Sequence, residues 1–228
     1  MNKSSVFSLE LKNGNFTFKE IPEFCYVDTS FINEIYGKSS DLHTRNLCTN
    51  FMNEVIKNNG YFLTSGLVLE ELYHVIRGRY IKDIIKDDTV RQGKIEKYLE
   101  QNPQTNEQII EEIKQVREKV KSICMFLPYK HDEDLDEMIL NVMKLYNLNS
   151  RDAKHVVIGL TNSTNSIATV DGGFKTTDNL NIYTPTKSLI ISSNDGRANT
   201  YIPYKQSFVD IIRPKIVSNV TNVKTEVS

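Results

Sequence analysis

The segment 148–174 constrains the fold most, because it predicts a buried helix followed by a buried strand. Ser150 is a favourable N-cap, and Asp152 then falls in the first turn of the helix. A run of Thr, Asn and Ser over 161–165 ends this helix. The apolar residues of the helix recur at helical spacing, and the apolar run after it has the length of a buried strand: Val156, Val157 and Leu160, then 167–170.

Asp171 is the first residue after this predicted strand. Ligands of open parallel sheets bind beyond the carboxyl ends of the strands, so Asp171 indicates where a site would lie. The same placement occurs earlier, because the apolar run 24–27 predicts a buried strand and Asp28 follows it. Asp28 is equally explained as the N-cap of a helix that starts near Phe31, and the sequence leaves both roles open.

Alternating strands and helices are predicted over the rest of the chain, which indicates an α/β fold. The predicted strands are 61–64, 123–127 and 180–183, and the predicted helices are 41–58, 67–76, 104–121 and one that starts at 132–134. Residues 1–23 predict a peripheral strand or hairpin around Asn13 and Gly14. We expect one domain over 1–183, and an appendage over 184–228 with a β-hairpin, built from 188–191 and 200–202, and a frayed tail.

Glu71 and a basic run are the other notable features. Glu71 projects near the apolar face of its predicted helix, where an acid needs a partner or a metal. Residues 77–97 hold seven Lys or Arg against four acids, and belong to a predicted helical hairpin over about 77–122. The basic run is either a solvated helix face or a surface that contacts phosphate, with Arg77, Arg79 and Lys82 as the candidates.

The amino-acid composition limits the class of protein and its cellular compartment. Lys and Arg number 28 against 29 Asp and Glu, so the net charge of −1 gives no general preference for nucleic acid. Three widely spaced cysteines argue against a disulfide framework or a zinc site. The sequence shows neither the apolar core of a signal peptide nor a membrane-spanning run. We therefore expect a soluble, cytoplasmic protein that does not bind membranes.

Four acids are thus expected near one edge of the sheet: Asp28, Glu71, Asp152 and Asp171. Such acids would repel one another, and a helix points the nearby Arg151 and Lys154 away from Asp152. A divalent cation such as Mg²⁺ or Mn²⁺, which prefers oxygen ligands, would relieve this repulsion and could activate a water molecule. Unrelated surface acids and helix caps are the alternative.

Four short motifs resemble the ordered acidic motifs of PIN-domain ribonucleases: Val27-Asp28-Thr29-Ser30, Leu69-Glu70-Glu71-Leu72, Asp152-Ala153-Lys154-His155 and Thr169-Val170-Asp171. The resemblance covers about 24–183. It implies a three-layer α/β/α sandwich with a mainly parallel central sheet, and the helical hairpin is then an insertion. It also implies an Mg²⁺- or Mn²⁺-dependent endoribonuclease that acts on RNA.

The resemblance further implies residue roles. Asp28, Glu71 and Asp152 would bind the metal, Asp171 would bind it directly or through water, and Thr29 or Ser30 would support them. Glu70 is the alternative to Glu71, which we prefer because Leu72 follows it as the pattern requires. His155, one turn beyond Asp152, could approach the site, but we expect it to be a core or surface histidine.

Other functions and partners stay open. A PIN-like RNA-binding or regulatory protein without turnover is the main alternative, and a receiver-type domain is a weaker one. Whether the protein is a toxin with an antitoxin, has another regulatory partner or forms a homodimer is not decided by the sequence.

Overall fold

A computed structural model describes residues 3–37, 41–85, 92–128, 132–193 and 200–214. The strands are β1 (Ser5–Ser8), β2 (Leu11–Lys12), β3 (Asn15–Phe16), β4 (Phe24–Val27), β5 (Tyr61–Thr64), β6 (Cys124–Phe126), β7 (Ser166–Ala168) and β8 (Asn181–Thr184). The α-helices are α1 (Thr29–Tyr36), α2 (Leu42–Lys57), α3 (Gly66–Ile85), α4 (Gln92–Gln101), α5 (Pro103–Ile123), α6 (Glu133–Tyr146), α7 (Ser150–Thr161), α8 (Lys187–Ser193) and α9 (Ser207–Ile212). A 3-10 helix spans Gly172–Thr176.

The central sheet has six strands in the order β1-β8-β7-β4-β5-β6, and every neighbouring pair is parallel. The chain passes from β4 through β5 to β6 in one direction and returns to β7 on the far side of β4. Because such crossovers are right-handed, helices α1–α5 and helices α6–α7 cover opposite faces of the sheet. The predicted α/β/α sandwich with a parallel sheet is confirmed.

The core strands are apolar runs, as expected of strands covered on both faces. Cys25, Tyr26 and Val27 of β4 are each at most 1% exposed. Val156 and Val157 of α7 are fully buried in the same core. A second, smaller core of Ile81, Leu99 and Ile109 joins α3, α4 and α5. The predicted break at Asn102 before Pro103 separates α4 from α5. Residues 77–85 continue α3, however, so the predicted start of the helical hairpin at 77 is wrong.

The N-terminal segment differs from its prediction. The small hairpin of β2 and β3 is present, with Asn13 and Gly14 at positive φ in its turn. The prediction of a peripheral element is wrong, however, because β1 pairs with β8 along its whole length. Phe7 and Leu9 are buried, so this segment completes the core.

The segment after β8 also differs. Residues 188–191 were expected to form a strand, but they lie in helix α8, which buries Leu189 and leaves Ile191 70% exposed. The predicted turn at 194–196 and the tail beyond 214 lie outside the described residues. Helices α8 and α9 add Leu189, Phe208, Val209 and Ile212 to the core. The division of the chain at 183 stays a prediction.

The start of α7 and the end of β7, both near the site, differ slightly from their predicted positions. Asn149, and not Ser150, caps α7, because its Oδ1 accepts the backbone N–H groups of Arg151 and Asp152. Strand β7 ends at Ala168, two residues before the predicted end. The chain leaves the strand there because the hydroxyl of Thr169 accepts the N–H of Asp171. Within the described residues, no helix is long and apolar enough to cross a membrane.

Candidate active site

The candidate site lies where the path of the chain through the sheet reverses. β5 and β6 lie on one side of β4, whereas β7, β8 and β1 lie on the other. A crevice beyond the carboxyl ends of the strands at such a reversal is where open parallel sheets bind ligands. Asp28 directly follows β4, and Asp171 follows β7 after two residues. Both predicted strand-end acids are therefore at this reversal.

Asp28 is buried and held from three directions. Its Oδ1 accepts the N–H of Phe31 at 2.9 Å, so it is the N-cap of α1, and its Oδ2 accepts the hydroxyl of Thr169 at 2.6 Å. The hydroxyl of Ser30 donates to Oδ1 at 2.8 Å. Burial raises the pKa of Asp28, while nearby His155 and these hydrogen bonds offset part of the rise. The cap role and a place in the site therefore coexist in one carboxylate.

Glu71 enters the site from α3, and its two oxygens differ. Oε2 accepts the hydroxyl of Thr29 and faces Nε2 of His155 at 3.2 Å. Oε1 is buried and accepts no hydrogen bond of good geometry, although Nε of Arg151 lies 3.0 Å away. Burial acts to raise the pKa of Glu71, but His155, Thr29 and Arg151 outweigh it and the pKa is lowered. Glu70, the alternative, is exposed, so the geometry favours Glu71.

Asp152 lies beside Asp171. The Asn149 side chain donates to Oδ2 of Asp152 at 2.8 Å. Burial, and after it the negative charge of Asp171, raises the pKa of Asp152 from 3.8 to about 6. Asp171 is exposed, and its Oδ1 accepts the N–H of Gly173 at the start of the 3-10 helix. A Cβ on Gly173 would stand 2.3 Å from Oδ2 of Asp152, so only glycine leaves room for this carboxylate.

His155 connects the site to the core. It is 3% exposed, and its Nδ1 lies 3.1 Å from the hydroxyl of Tyr26, which lies 2.9 Å from Oγ of Ser65. If Nε2 carries the proton toward Glu71, Nδ1 accepts from Tyr26 and Tyr26 accepts from Ser65, so every member has a partner. His155 is thus a core histidine, as expected, and it also orients one of the four acids.

A family model described as PIN domain matches residues 25–180, which is more than half of the chain. The chain belongs to the PIN-domain family. No curated protein matches the chain significantly. The PIN-domain match covers β4 through the end of the 3-10 helix and reaches the residue before β8, so it includes all four acids and the helical hairpin. PIN domains belong to a nuclease superfamily and generally use divalent metal ions.

The acids of this PIN domain suit a divalent ion in chemistry but do not form a closed ligand set. Among the described residues, no three His, Cys, Asp or Glu side chains converge closely enough to hold a metal ion as they stand. Asp28 and Asp171 nevertheless both raise the pKa of Asp152 by their charge. Glu71 adds the buried Oε1, which lacks a hydrogen bond. An all-oxygen donor set of this kind fits Mg²⁺ or Mn²⁺.

Several residues at this PIN-domain site were not predicted from the sequence. Thr169 bridges Asp28 and the backbone of Asp171, and Asn149 holds Asp152. Arg151, which is expected to point away from Asp152, pairs with Glu71. Thr169, two residues before Asp171, could have been found by its spacing. The contact of Arg151 with Glu71 joins α7 to α3 and gives no local signal.

The basic candidates on α3 have different environments. The guanidinium of Arg79 forms an ion pair with Glu112 of α5, and both side chains are less than a fifth exposed. This pair joins the two helices and takes Arg79 out of the exposed basic surface. Arg77 is partly exposed and Lys82 is exposed.

Proposed function

We propose that this PIN domain is a metal-dependent endoribonuclease that hydrolyses phosphodiester bonds of RNA at the site formed by Asp28, Glu71, Asp152 and Asp171. The observation that carries the proposal is the placement of Asp152 and Asp171 together at the reversal of the sheet, where one Cβ position on Gly173 would lie 2.3 Å from Oδ2 of Asp152 and 3.5 Å from Oδ1 of Asp171. Burial and the charge of Asp171 also raise the pKa of Asp152 to about 6. Two carboxylates placed this close together favour a bound cation. A bound Mg²⁺ or Mn²⁺ would supply an activated water and neutralise charge on the phosphate.

Each residue has a defined part in this proposal. Asp28 and Glu71 are fixed carboxylates, because Ser30 and Thr169 hold the first and Thr29 and His155 hold the second. These two acids and Asp152 would hold the metal, and exposed Asp171 would bind it directly or orient its water. Fixed ligands limit the reorganisation that the reaction requires, which is the main contribution of a protein to such chemistry.

The same proposal covers substrate binding and cellular location. Arg77 and Lys82 would contact the RNA backbone, since phosphate contacts dominate the affinity of such complexes. A cytoplasmic location is part of the proposal too. An antitoxin or regulatory partner and a homodimer stay predictions from the resemblance.

Replacement of the carboxylates by amides tests the proposal. Cleavage of a mixed single-stranded RNA with Mn²⁺ should fall at least about a hundredfold in Asp28→Asn, Asp152→Asn and Glu71→Gln, because each change removes a charge from the proposed metal site. Glu70→Gln is the matched control, since Glu70 is the exposed neighbour of Glu71. Gel-resolved cleavage rates provide the measurement.

The outcomes separate the candidate functions. Equal activity of the variants and the wild type would remove the four acids from the mechanism. RNA binding by a wild-type protein that shows no cleavage with Mn²⁺ or Mg²⁺ would favour the alternative, a binding or regulatory PIN protein. A loss in Glu70→Gln but not in Glu71→Gln would exchange the roles of these two residues.

A further inference from the structure

Arg151 occupies the side of Glu71 that the core leaves unbound. Its Nε lies 3.0 Å from Oε1 of Glu71. The Arg151 side chain is 72% exposed, whereas the Glu71 side chain is 10% exposed. Within the described residues the guanidinium makes no other hydrogen bond or ion pair. A solvent-exposed cation therefore lies against a fixed, buried carboxylate.

The two oxygens of Glu71 are unequal in how easily they exchange partners. Oε2 is bound from inside by Thr29 and His155, and His155 is itself fixed by Tyr26. Oε1 accepts no hydrogen bond of good geometry. An exchange of partners at Glu71 therefore takes place at Oε1, where Arg151 now lies.

Exposed ion pairs are weak, because solvent screens the attraction and ordering a long side chain costs entropy. A divalent cation has a larger charge and a smaller radius than a guanidinium, so it competes well for a carboxylate oxygen. Two cations at one oxygen would repel each other. A metal on Oε1 would therefore compete with Arg151 for this oxygen and weaken its contact.

We propose that Arg151 is an exchangeable cation, which neutralises Glu71 while the metal is absent and binds a phosphate of the RNA backbone once the metal takes Oε1. This inference rests on the proposed function. The guanidinium suits both partners, because its fork of N–H donors matches carboxylate and phosphate alike. Arg151 lies in the first turn of α7, the turn that also carries Asp152, so its backbone stays beside the site when its side chain leaves Glu71.

The proposal predicts opposite effects of one substitution on two ligands. Arg151→Ala should bind Mn²⁺ about two- to fivefold more tightly in the absence of RNA, because the metal no longer displaces an ion pair. At saturating Mn²⁺ the same variant should cleave single-stranded RNA with a kcat/KM about three- to tenfold lower. The slope of log(kcat/KM) against log[salt] should become shallower by about 0.7, which corresponds to one lost phosphate contact.

Calorimetric titration with Mn²⁺ alone and cleavage rates at several salt concentrations provide the measurements. Arg151→Lys keeps the charge, so its Mn²⁺ affinity and its salt slope should both lie between those of the wild type and Arg151→Ala. Lys154→Ala is the matched control, since it removes one cation from the next turn of α7, and it should change neither quantity.

Each possible result supports or contradicts a specific part of the proposal. A merely structural ion pair would give weaker or unchanged Mn²⁺ binding in Arg151→Ala, and this would overturn the exchange. Tighter Mn²⁺ binding with an unchanged salt slope would overturn the phosphate contact. A wild-type protein that binds no Mn²⁺ would overturn the proposed function and the exchange with it, whereas normal wild-type binding and cleavage with an unaffected Arg151→Ala would overturn the exchange alone.

Discussion

Asp152 is the residue at which burial and like charge act together. Its pKa is raised from 3.8 to about 6, so the folded protein binds a proton at this carboxyl more tightly than the unfolded chain does. An acid with a raised pKa destabilises the folded state when it is ionised. The destabilisation is full above about pH 6 and disappears as the pH falls below 3.8. A functional acid thus lowers stability in the pH range in which it would act.

Asp152→Asn should therefore stabilise the metal-free protein at pH 7.5. We expect a gain on the order of 1 kcal/mol, because solvent at the site screens part of the interaction with Asp171. The gain should vanish near pH 3.5, where the carboxyl is protonated in both states. Urea unfolding midpoints with a chelator at the two pH values provide the measurement. Asp210→Asn, an exposed control on α9, should show no such difference, and a less stable Asp152→Asn at pH 7.5 would contradict the cause given for the raised pKa.

The 3-10 helix is the element that fits most closely against the site. A Cβ on Gly173 would meet Oδ2 of Asp152 at 2.3 Å, whereas a Cβ on Gly172 would meet only Oγ of Ser188 at 3.6 Å. The atom that must move for Gly173 is the end of a side chain and not backbone. The fold can therefore accept an alanine at 173, but the Asp152 carboxylate must leave its position.

Gly173→Ala should retain the fold and lose activity. We expect cleavage to fall on the order of a hundredfold, because displacements of about 1 Å at a reacting centre have this effect. The melting temperature should change little. Gly172→Ala is the matched control and should cleave RNA at nearly the wild-type rate. Comparable losses of cleavage in both variants would show that activity depends on the 3-10 helix as a whole and not on the contact between residue 173 and Asp152.

Elements were predictable from the sequence where local pattern and burial agree. Strand β4 is a continuous apolar run, and α6 has an acidic start with a regular apolar stripe, so both were predicted correctly. The run 188–191 was predicted wrongly, because three consecutive apolar residues fit a strand or a helix and only the packing decides between them. In α8 Leu189 is buried beside β1 and the 3-10 helix, while Ile191 faces solvent.

The arrangement of site residues was less predictable than the elements. Asp28, Asp152 and Asp171 could be located because strand ends and first helical turns are visible in the sequence. Glu71 could be located because it projects near the apolar face of its predicted helix. The ion pair of Arg151 with Glu71 depends on how α7 and α3 are rotated against the sheet, which no local pattern encodes. The same holds for the contact of His155 with Glu71 across 84 residues.

At the scale of the whole molecule, helices α3, α4 and α5 form a helical layer in which an ion pair joins α3 to α5. Arg79 of α3 pairs with Glu112 of α5, next to the small core of Ile81, Leu99 and Ile109. Loss of one partner from a mostly buried pair leaves the other charge without compensation. The packing of α5 against α3 should therefore depend on both residues.

Glu112→Leu should destabilise the packing of α5 against α3 by about 2 kcal/mol, because Arg79 then lacks its counter-charge. Arg79→Met combined with Glu112→Leu should restore most of this stability, since apolar residues of similar size replace the pair. Hydrogen exchange of α4 and α5 provides the measurement. The double variant should also cleave RNA as the wild type does, if Arg79 has a structural role only. A double variant less stable than Glu112→Leu would contradict the role of the pair.

The position of β1 determines when the sheet can be completed during synthesis of the protein. Its pairing partner β8 lies far along the chain, and Leu180 donates to Ser4 across 176 residues. Contacts between residues so distant in sequence form late and slowly. Phe7 and Leu9 must remain unpaired on the ribosome until β8 has emerged, by which time all four acids have been translated. The edge of the sheet therefore closes only after the complete candidate site exists.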